Sequence, residues 1–559
     1  MMEEAKIEPH SLVEAQQRAF DFLESHRRPD GSWVGEMSSS ALATAISCLA
    51  LSLHPDAAPE GAVERGLGWL AADQNPDGGW GDGVVDPSNM NATSLTAAVL
   101  SMCAPGEYEE EIRAAREWVD RHGGFEAIND PSRVTLSGPC RSLWALCGFV
   151  RWEEIRKLPT EMILLPRRIR RTVSTTFPAF LSLSMMHEHF RPAPGFWQPV
   201  KSRARREALG WLRKAQGPNG SYEESAFLTS LIVVALTQAE VGATDILGRA
   251  LPFIRESQRE DGSWPIDRDL ENFDSAQAVF AYHAAGRPVP RAGELRRWFL
   301  AGQFRKPFFA TSSPPGGWAW ALPAGWPDSD DTAYALKALR LLGVSPDHEA
   351  IRLGLSWCYA MQNRDGSWPT FVRNSRMPFD HDDPYITSQI LSAFSMMGKE
   401  VREGRRARRA LRYLREKQHE DGSFDSLWFR AYTRGTANVL EALVDLGLAR
   451  DEMAQKAARW LATHQNDDGG WSDGHGEAPS TAEETSWAVG ALLRYDPVRH
   501  RREIERGVRW LIDRQRPDGG WDPAVIGLYY ASLSYSNSFY ALTYPLIALS
   551  RYRRRVLEG

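Results

Sequence analysis

The residues best placed to do chemistry are Asp328, Asp330 and Asp331, a D-x-D-D cluster in the segment GGWAWALPAGWPDSDDTAYALKAL. Asp at the start of an apolar helix can simply cap it, accepting backbone N–H bonds and suiting the helix dipole. Here Trp318, Trp320 and Trp326 flank the cluster, and an aromatic surround predicts more than a surface cap. Burial and like-charged neighbours raise a carboxyl pKa, so one of three crowded carboxyls stays protonated at neutral pH. A protonated Asp whose anion is held by hydrogen bonds can act as a general acid. In an aromatic, water-poor cavity its target would be an alkene. Aromatic faces would stabilise the resulting carbocation, and dryness would prevent early quenching.

Other charged clusters carry weaker signals. Arg167, Arg168, Arg170 and Arg171 form either a solvated basic face or an anion site. The run Asp380, His381, Asp382, Asp383 precedes a proline and reads as a solvated turn, with a metal site or proton relay as the other reading. The five cysteines show no zinc spacing and read as small buried hydrophobes in a reducing compartment.

A repeat must position these residues. The pattern Gln, three residues, Gly, one residue, aromatic ends at Trp80, Tyr222, Trp264, Trp368, Phe424, Trp471 and Trp521, with degenerate copies at Trp33 and Trp318. An amphipathic segment precedes each copy and an apolar one follows, both at helical spacing. The Gly-containing turn stops the first helix. Each unit is therefore a helical hairpin, with the aromatic expected to tie neighbouring hairpins together. Strand patterns are almost absent, so the fold class is all-α: two (α/α) barrels. Their expected limits are an N-terminal helix within 1–25, which could pack on the second barrel, a first barrel over 26–286, and a second over 287–559.

Composition agrees. A chain of 559 residues suits two to four domains, and the 21 tryptophans call for a repeated use or a special pocket. A net charge of −6 gives no general attraction to nucleic acid. The N-terminus has no signal-peptide pattern, and the apolar runs are too short to span a bilayer. This predicts a cytoplasmic protein without stable membrane insertion. Arginine far outnumbers lysine, in keeping with a GC-rich bacterial genome. The sequence is silent on oligomeric state.

The repeats, PGGWAW and PDSDDTA together resemble the class II terpene cyclases, most closely the squalene–hopene cyclase branch. The resemblance covers nearly the whole chain, including HGGFEAIND and SRVTLSGPCRSLWAL. It implies two α-barrels, termed β and γ, with the cavity between them. It implies Asp330 as the acid that protonates a terminal alkene or epoxide, tuned by Asp328 and Asp331. Trp320, Phe371, Trp428, Tyr529 and Tyr540 match cation-facing aromatics, with Phe273 a weaker match.

The departures shift the expected substrate. Where that branch backs its acid with a His, this chain has Gln389, and Tyr385 replaces the Asp of the same segment. An amide can hydrogen-bond the acid but cannot become a cation. Leu533 and Asn537 stand where aromatics are expected. The membrane-dipping segment of squalene cyclases is missing, because HFRPAPGFWQPVKSRARREALGWL runs almost directly onward. These features favour the soluble relatives that cyclise farnesyl or geranylgeranyl diphosphate to drimenyl- or copalyl-type diphosphates. The four arginines would hold the diphosphate, and Mg2+ would accompany it, with no ligand set evident beyond a guess at Asp82 and Asp86. The other readings are a cyclase of squalene or another diphosphate-free polyprene, a zinc-dependent protein prenyltransferase subunit and a non-catalytic helical toroid. The prenyltransferase reading suffers because only Cys358 lies in the second half.

Overall fold

In the computed structural model, residues 7–84, 86–132, 134–472, 478–529 and 533–558 are described. The helices form two closed rings. In the first, Ala41–Ser52, Met90–Cys103, Ser137–Leu146, Phe177–Phe190 and Ala226–Gln238 pack side by side. In the second, six inner helices do so: Glu271–Ala284, Ser329–Leu341, Pro384–Ser395, Thr433–Asp445, Ala482–Tyr495 and Ser538–Tyr552. Outer helices such as Ala62–Ala72 and Arg405–Lys417 cover them. The inner helices are buried along most of their length, those of the second ring with polar side chains among them, whereas the outer ones are amphipathic and bury one face.

This moves the expected border. The sequence places the end of the first barrel at 286, but Glu271–Ala284 packs between Ser329–Leu341 and Ser538–Tyr552, so the border falls before it. The N-terminal helix Pro9–Ser25 lies against Ser538–Tyr552. Gln515 Nε2 donates to the Ala15 carbonyl at 2.9 Å, so the chain start completes the outer layer of the second barrel.

The repeat aromatic packs on the preceding helix end, as expected, and its ring also meets the neighbouring outer helix: a Cβ at Gly507 would lie 2.8 Å from Trp471 Cζ3. The aromatic bonds backwards within its own unit: Trp80 Nε1 donates to Leu70 O at 2.8 Å and Trp368 Nε1 to Cys358 O at 2.7 Å. The glutamine ties neighbouring units. Gln362 Nε2 donates to Gly366 O at 2.8 Å and to Arg406 O of the next outer helix at 3.0 Å. The same pair of bonds recurs at Gln74, Gln418 and Gln465. Gly366 sits at φ +109°, and a Cβ there would lie 2.6 Å from the Arg409 carbonyl oxygen. Gly366→Ala should therefore cost about 1–3 kcal/mol of stability, read as a lowered denaturation midpoint. An unchanged midpoint would refute this role for the turn.

Two short antiparallel ladders finish the site. Trp318–Ala319 pairs with Pro327–Asp328, and Gly527–Tyr529 pairs with Leu533–Tyr535. The first places the acid motif directly at the start of helix Ser329–Leu341.

Candidate active site

Asp328 caps that helix, its Oδ1 accepting the Asp331 N–H at 2.8 Å. The capping expectation and the acid expectation thus fall on different members of one motif. Asp331 Oδ1 accepts from Asn272 Nδ2 at 3.0 Å. Asp330 is 8% exposed; its Oδ2 accepts from the Tyr385 hydroxyl at 3.0 Å, and its Oδ1 has no partner. Burial pushes all three carboxyls up, with the like charge of a neighbouring Asp adding at Asp328 and Asp331. Asp330 rises to about 6, restrained by Lys337, by the Tyr385 hydrogen bond and by Arg434. It is the one carboxyl of the three backed by cations, hence the strongest acid of the set.

The motif opens on a cavity between the barrels. Phe273, Trp320, Phe371, Trp428, Tyr529 and Tyr540 all line it, together with the three aspartates. Trp320 and Phe371 meet edge to face with centroids 5.7 Å apart, and Phe371 and Trp428 at 6.3 Å. Aromatic rings lining an enclosed space can stabilise a developing cation there.

Sequence reasoning missed several neighbours. Phe429 and Tyr535 join the wall, and Glu223 and Asp267 reach it from the first barrel. Glu223 is buried at φ +60° with Oε1 unpartnered. Burial raises both groups, Asp267 to about 7. The signal for Glu223 is its place directly after the repeat aromatic of SYEES, where the other copies carry no Glu pair.

Gln389 needs correction. It does not touch Asp330; Tyr385 does. Gln389 Nε2 donates to Tyr334 OH at 2.7 Å and to Tyr385 OH at 3.2 Å, one step behind the acid. Asp380 to Asp383 need correction as well. Asp380 is fully buried, accepting from Phe371 N at 2.7 Å and from Ser174 Oγ at 2.9 Å, so it clamps the first barrel to the cavity loop. Asp383 caps helix Pro384–Ser395 through Ile386 N and also accepts from Leu427 N. Among these four, Asp382 is nearer the solvated reading, pairing with Lys417 at 2.8 Å.

The basic cluster divides. Arg167 and Arg170 line a second pocket with Lys214, Ser174, Trp211 and Trp326. Thr175, the next residue after Ser174, lines the main cavity. Arg168 is exposed and outside that pocket, and the Arg171 side chain lies outside the described residues. Asp82 and Asp86 are engaged otherwise: Asp82 Oδ2 accepts from Ser534 N at 2.9 Å, and Asp86 bonds Ser534 Oγ and Arg430. Among the described residues, no group of three or more His, Cys, Asp or Glu is placed to hold a metal.

Among the described residues, no helix is long and apolar enough to cross a membrane. The shortened connection nevertheless exposes Phe196 (77%) and Trp197 (47%), and Leu164, Leu165 and Ile169 are exposed beside Arg167 and Arg168.

Comparison with known proteins agrees with this fold. The squalene–hopene cyclase C-terminal domain matches residues 271–554 and the N-terminal domain residues 16–177. The chain is 31% identical to a squalene–hopene cyclase of Zymomonas mobilis, over 85% of each chain. It is 27% identical to a probable squalene–hopene cyclase of Sinorhizobium fredii, over 98% of this chain and 97% of that one. Over 47% of each chain it is 29% identical to a drimenyl diphosphate synthase of Streptomyces showdoensis. Its fold is shared with ent-copalyl diphosphate synthase from Streptomyces platensis, with a TM-score of 0.64 at 21% identity, covering 97% of this chain and 99% of that one.

Proposed function

Because this chain belongs to the squalene–hopene cyclase family, a class II terpene cyclase family, we propose that it cyclises a linear prenyl diphosphate. The substrate is farnesyl or geranylgeranyl diphosphate, and the product is a bicyclic diphosphate of the drimenyl or copalyl type. The observation that carries the reading is Asp330 itself: a carboxyl held at Oδ2 by Tyr385, with Oδ1 unpartnered, on a cavity walled by aromatics.

Asp330 delivers its proton to the terminal alkene. The π pair forms the new C–H bond and leaves a tertiary cation, and successive alkenes attack it to close two rings. Trp320, Phe371 and Trp428 stabilise the migrating charge. Loss of a proton from the last cation forms the product alkene, so no atom is gained or lost and the reaction is an isomerisation. The diphosphate is retained throughout. Arg167, Arg170 and Lys214 are the cations that would hold it, since charge-assisted bonds to phosphate oxygens are among the strongest available. Mg2+, if it accompanies the substrate, has no protein carboxylate cage among the described residues, and no step is assigned to it.

A second reading is a cyclase of squalene or another diphosphate-free polyprene. The exposed Phe196 and Trp197 favour it, because large apolar side chains at the surface suit contact with an oily donor phase. Incubation with farnesyl diphosphate, geranylgeranyl diphosphate and squalene separates the two. Extraction before and after phosphatase, with mass spectrometry of the products, should give a bicyclic alcohol only after phosphatase. Turnover of squalene alone would overturn the diphosphate reading.

A further inference from the structure

Behind Asp330 lies a buried polar network. Tyr385 has one hydroxyl proton and donates it to Asp330 Oδ2. Its oxygen therefore accepts, from Gln389 Nε2 at 3.2 Å and from Tyr334 OH at 3.3 Å. Tyr334, having spent its proton on Tyr385, accepts in turn from Arg434 Nη2 at 2.9 Å and Gln389 Nε2 at 2.7 Å. Lys337 Nζ donates to Gln389 Oε1. Two chains of donors thus start at cations, Arg434 and Lys337, and converge through Tyr385 on one carboxylate oxygen. Every dipole points the same way, and such chains polarise one another in a low-dielectric interior.

We propose that Lys337 and Arg434 are positioning residues that set the acid strength of Asp330 as a standing positive charge behind Tyr385. The inference rests on Asp330 being the proton donor. It explains how this chain functions with Gln389 and Tyr385 at positions that lack an ionisable imidazole. A standing cation stabilises the carboxylate left after proton transfer, so the transfer is easier. A cation that titrated in the acid's own range would lose this effect as pH rose. Arg434 keeps its charge throughout: its guanidinium is caged by Tyr385, Phe429, Trp487 and Tyr544 at 4.6–5.3 Å, which holds it charged without a carboxylate partner. Lys337 lies over Tyr334 at 4.4 Å. Burial lowers its ammonium to about 8, still above the range in which Asp330 titrates. It stands seven residues, two helical turns, beyond Asp330 on the same helix face.

The other charges around Asp330 are accounted for. Its own helix adds Asp328 and Asp331, helix Glu271–Ala284 adds Asp274, and Asp383 caps helix Pro384–Ser395. Burial raises all four and favours their neutral forms. Tyr535, Tyr540 and Tyr544 have hydroxyls pushed further up and stay neutral. Glu441 and Asp445 lie at the far end of Lys337, bonded to Arg551 and Arg494. Lys337 and Arg434 are therefore the two cations that bear on the acid.

The test reads Asp330 directly. Infrared pH titration of the buried carboxyl stretch, taken as the difference between the protein and Asp330→Asn, gives its midpoint without a substrate. Lys337→Met should raise that midpoint by about one pH unit. Arg434→Met should raise it similarly, and Arg434→Lys should leave it near the original value. Lys337 has no salt-bridge partner among the described residues, so Lys337→Met strands no paired carboxylate, and it carries the test if Arg434→Met fails to fold. On the substrate identified by the panel above, both Met variants should lower kcat about tenfold and leave KM within twofold. They should also move the alkaline limb of the pH profile upward. A folded Lys337→Met protein with an unmoved midpoint overturns the inference. Turnover retained in Asp330→Asn would instead sink the acid assignment, and the two failures are separable.

Discussion

Asp330→Asn should abolish turnover, by about 10⁴-fold or more, with the far-ultraviolet spectrum and denaturation midpoint little changed. A general acid contributes roughly 10²–10⁴, and here it is also the proton that starts the reaction, so little remains without it. Asn has the same size and can still accept the Tyr385 hydroxyl, so folding is not at stake. Removing a buried ionisable group also costs little when its desolvation already opposes the charge. The wild-type pH profile supplies the sign. The acid works protonated, and burial holds the carboxyl up at about 6. Turnover should therefore be flat at lower pH and fall as pH rises through that value. Retained activity in the variant, or a profile that rises with pH, would remove Asp330 from the role.

The second large effect concerns the diphosphate. Arg167→Ala combined with Arg170→Ala should raise KM for the prenyl diphosphate about 100-fold and change kcat far less. Each charge-assisted bond contributes about 1.5–3 kcal/mol, or roughly tenfold or more. The arginines act on the charged end of the substrate, away from the reacting alkene, so the loss is uniform between ground and transition states. Raised salt should mimic part of the effect, because both side chains are at least partly solvated. An unchanged KM for a diphosphate that is turned over would place its binding site elsewhere.

Much of the molecule is legible in the chain. Helical hairpins follow from apolar spacing and from the Gly turns, because a positive φ at each repeat ends a helix whatever surrounds it. The aspartates sit in a local motif with its own signature, and the six aromatic positions are legible through the resemblance to class II cyclases. Lys337 and Tyr334 are also within reach. They lie on the face of Asp330 at helical spacing, but the apolar run around them reads as core.

Arg434, Tyr385 and Gln389 show where local reading stops. The place of Gln389 in its segment points it at the acid, yet a hydrogen bond depends on which hydroxyl the packing of three helices brings nearest. That hydroxyl is Tyr385. Asp380 and Asp383 look like a solvated turn in sequence and are buried clamps in space. A carboxylate is satisfied by backbone N–H groups from distant loops, and no short motif records them.

The sequence by itself determined the all-α repeat, because each hairpin depends on contacts within itself, and it displayed the acid motif; the aromatic wall was legible only through the resemblance to class II cyclases, since its residues come from several hairpins. Tertiary structure alone decided the border between the barrels and the route by which two cations reach one carboxyl oxygen. It also decided that Arg167 and Arg170, and not Arg168, share a pocket with Lys214. Those features depend on packing between elements far apart in the chain. There, angles and distances set by the whole core determine which polar groups meet.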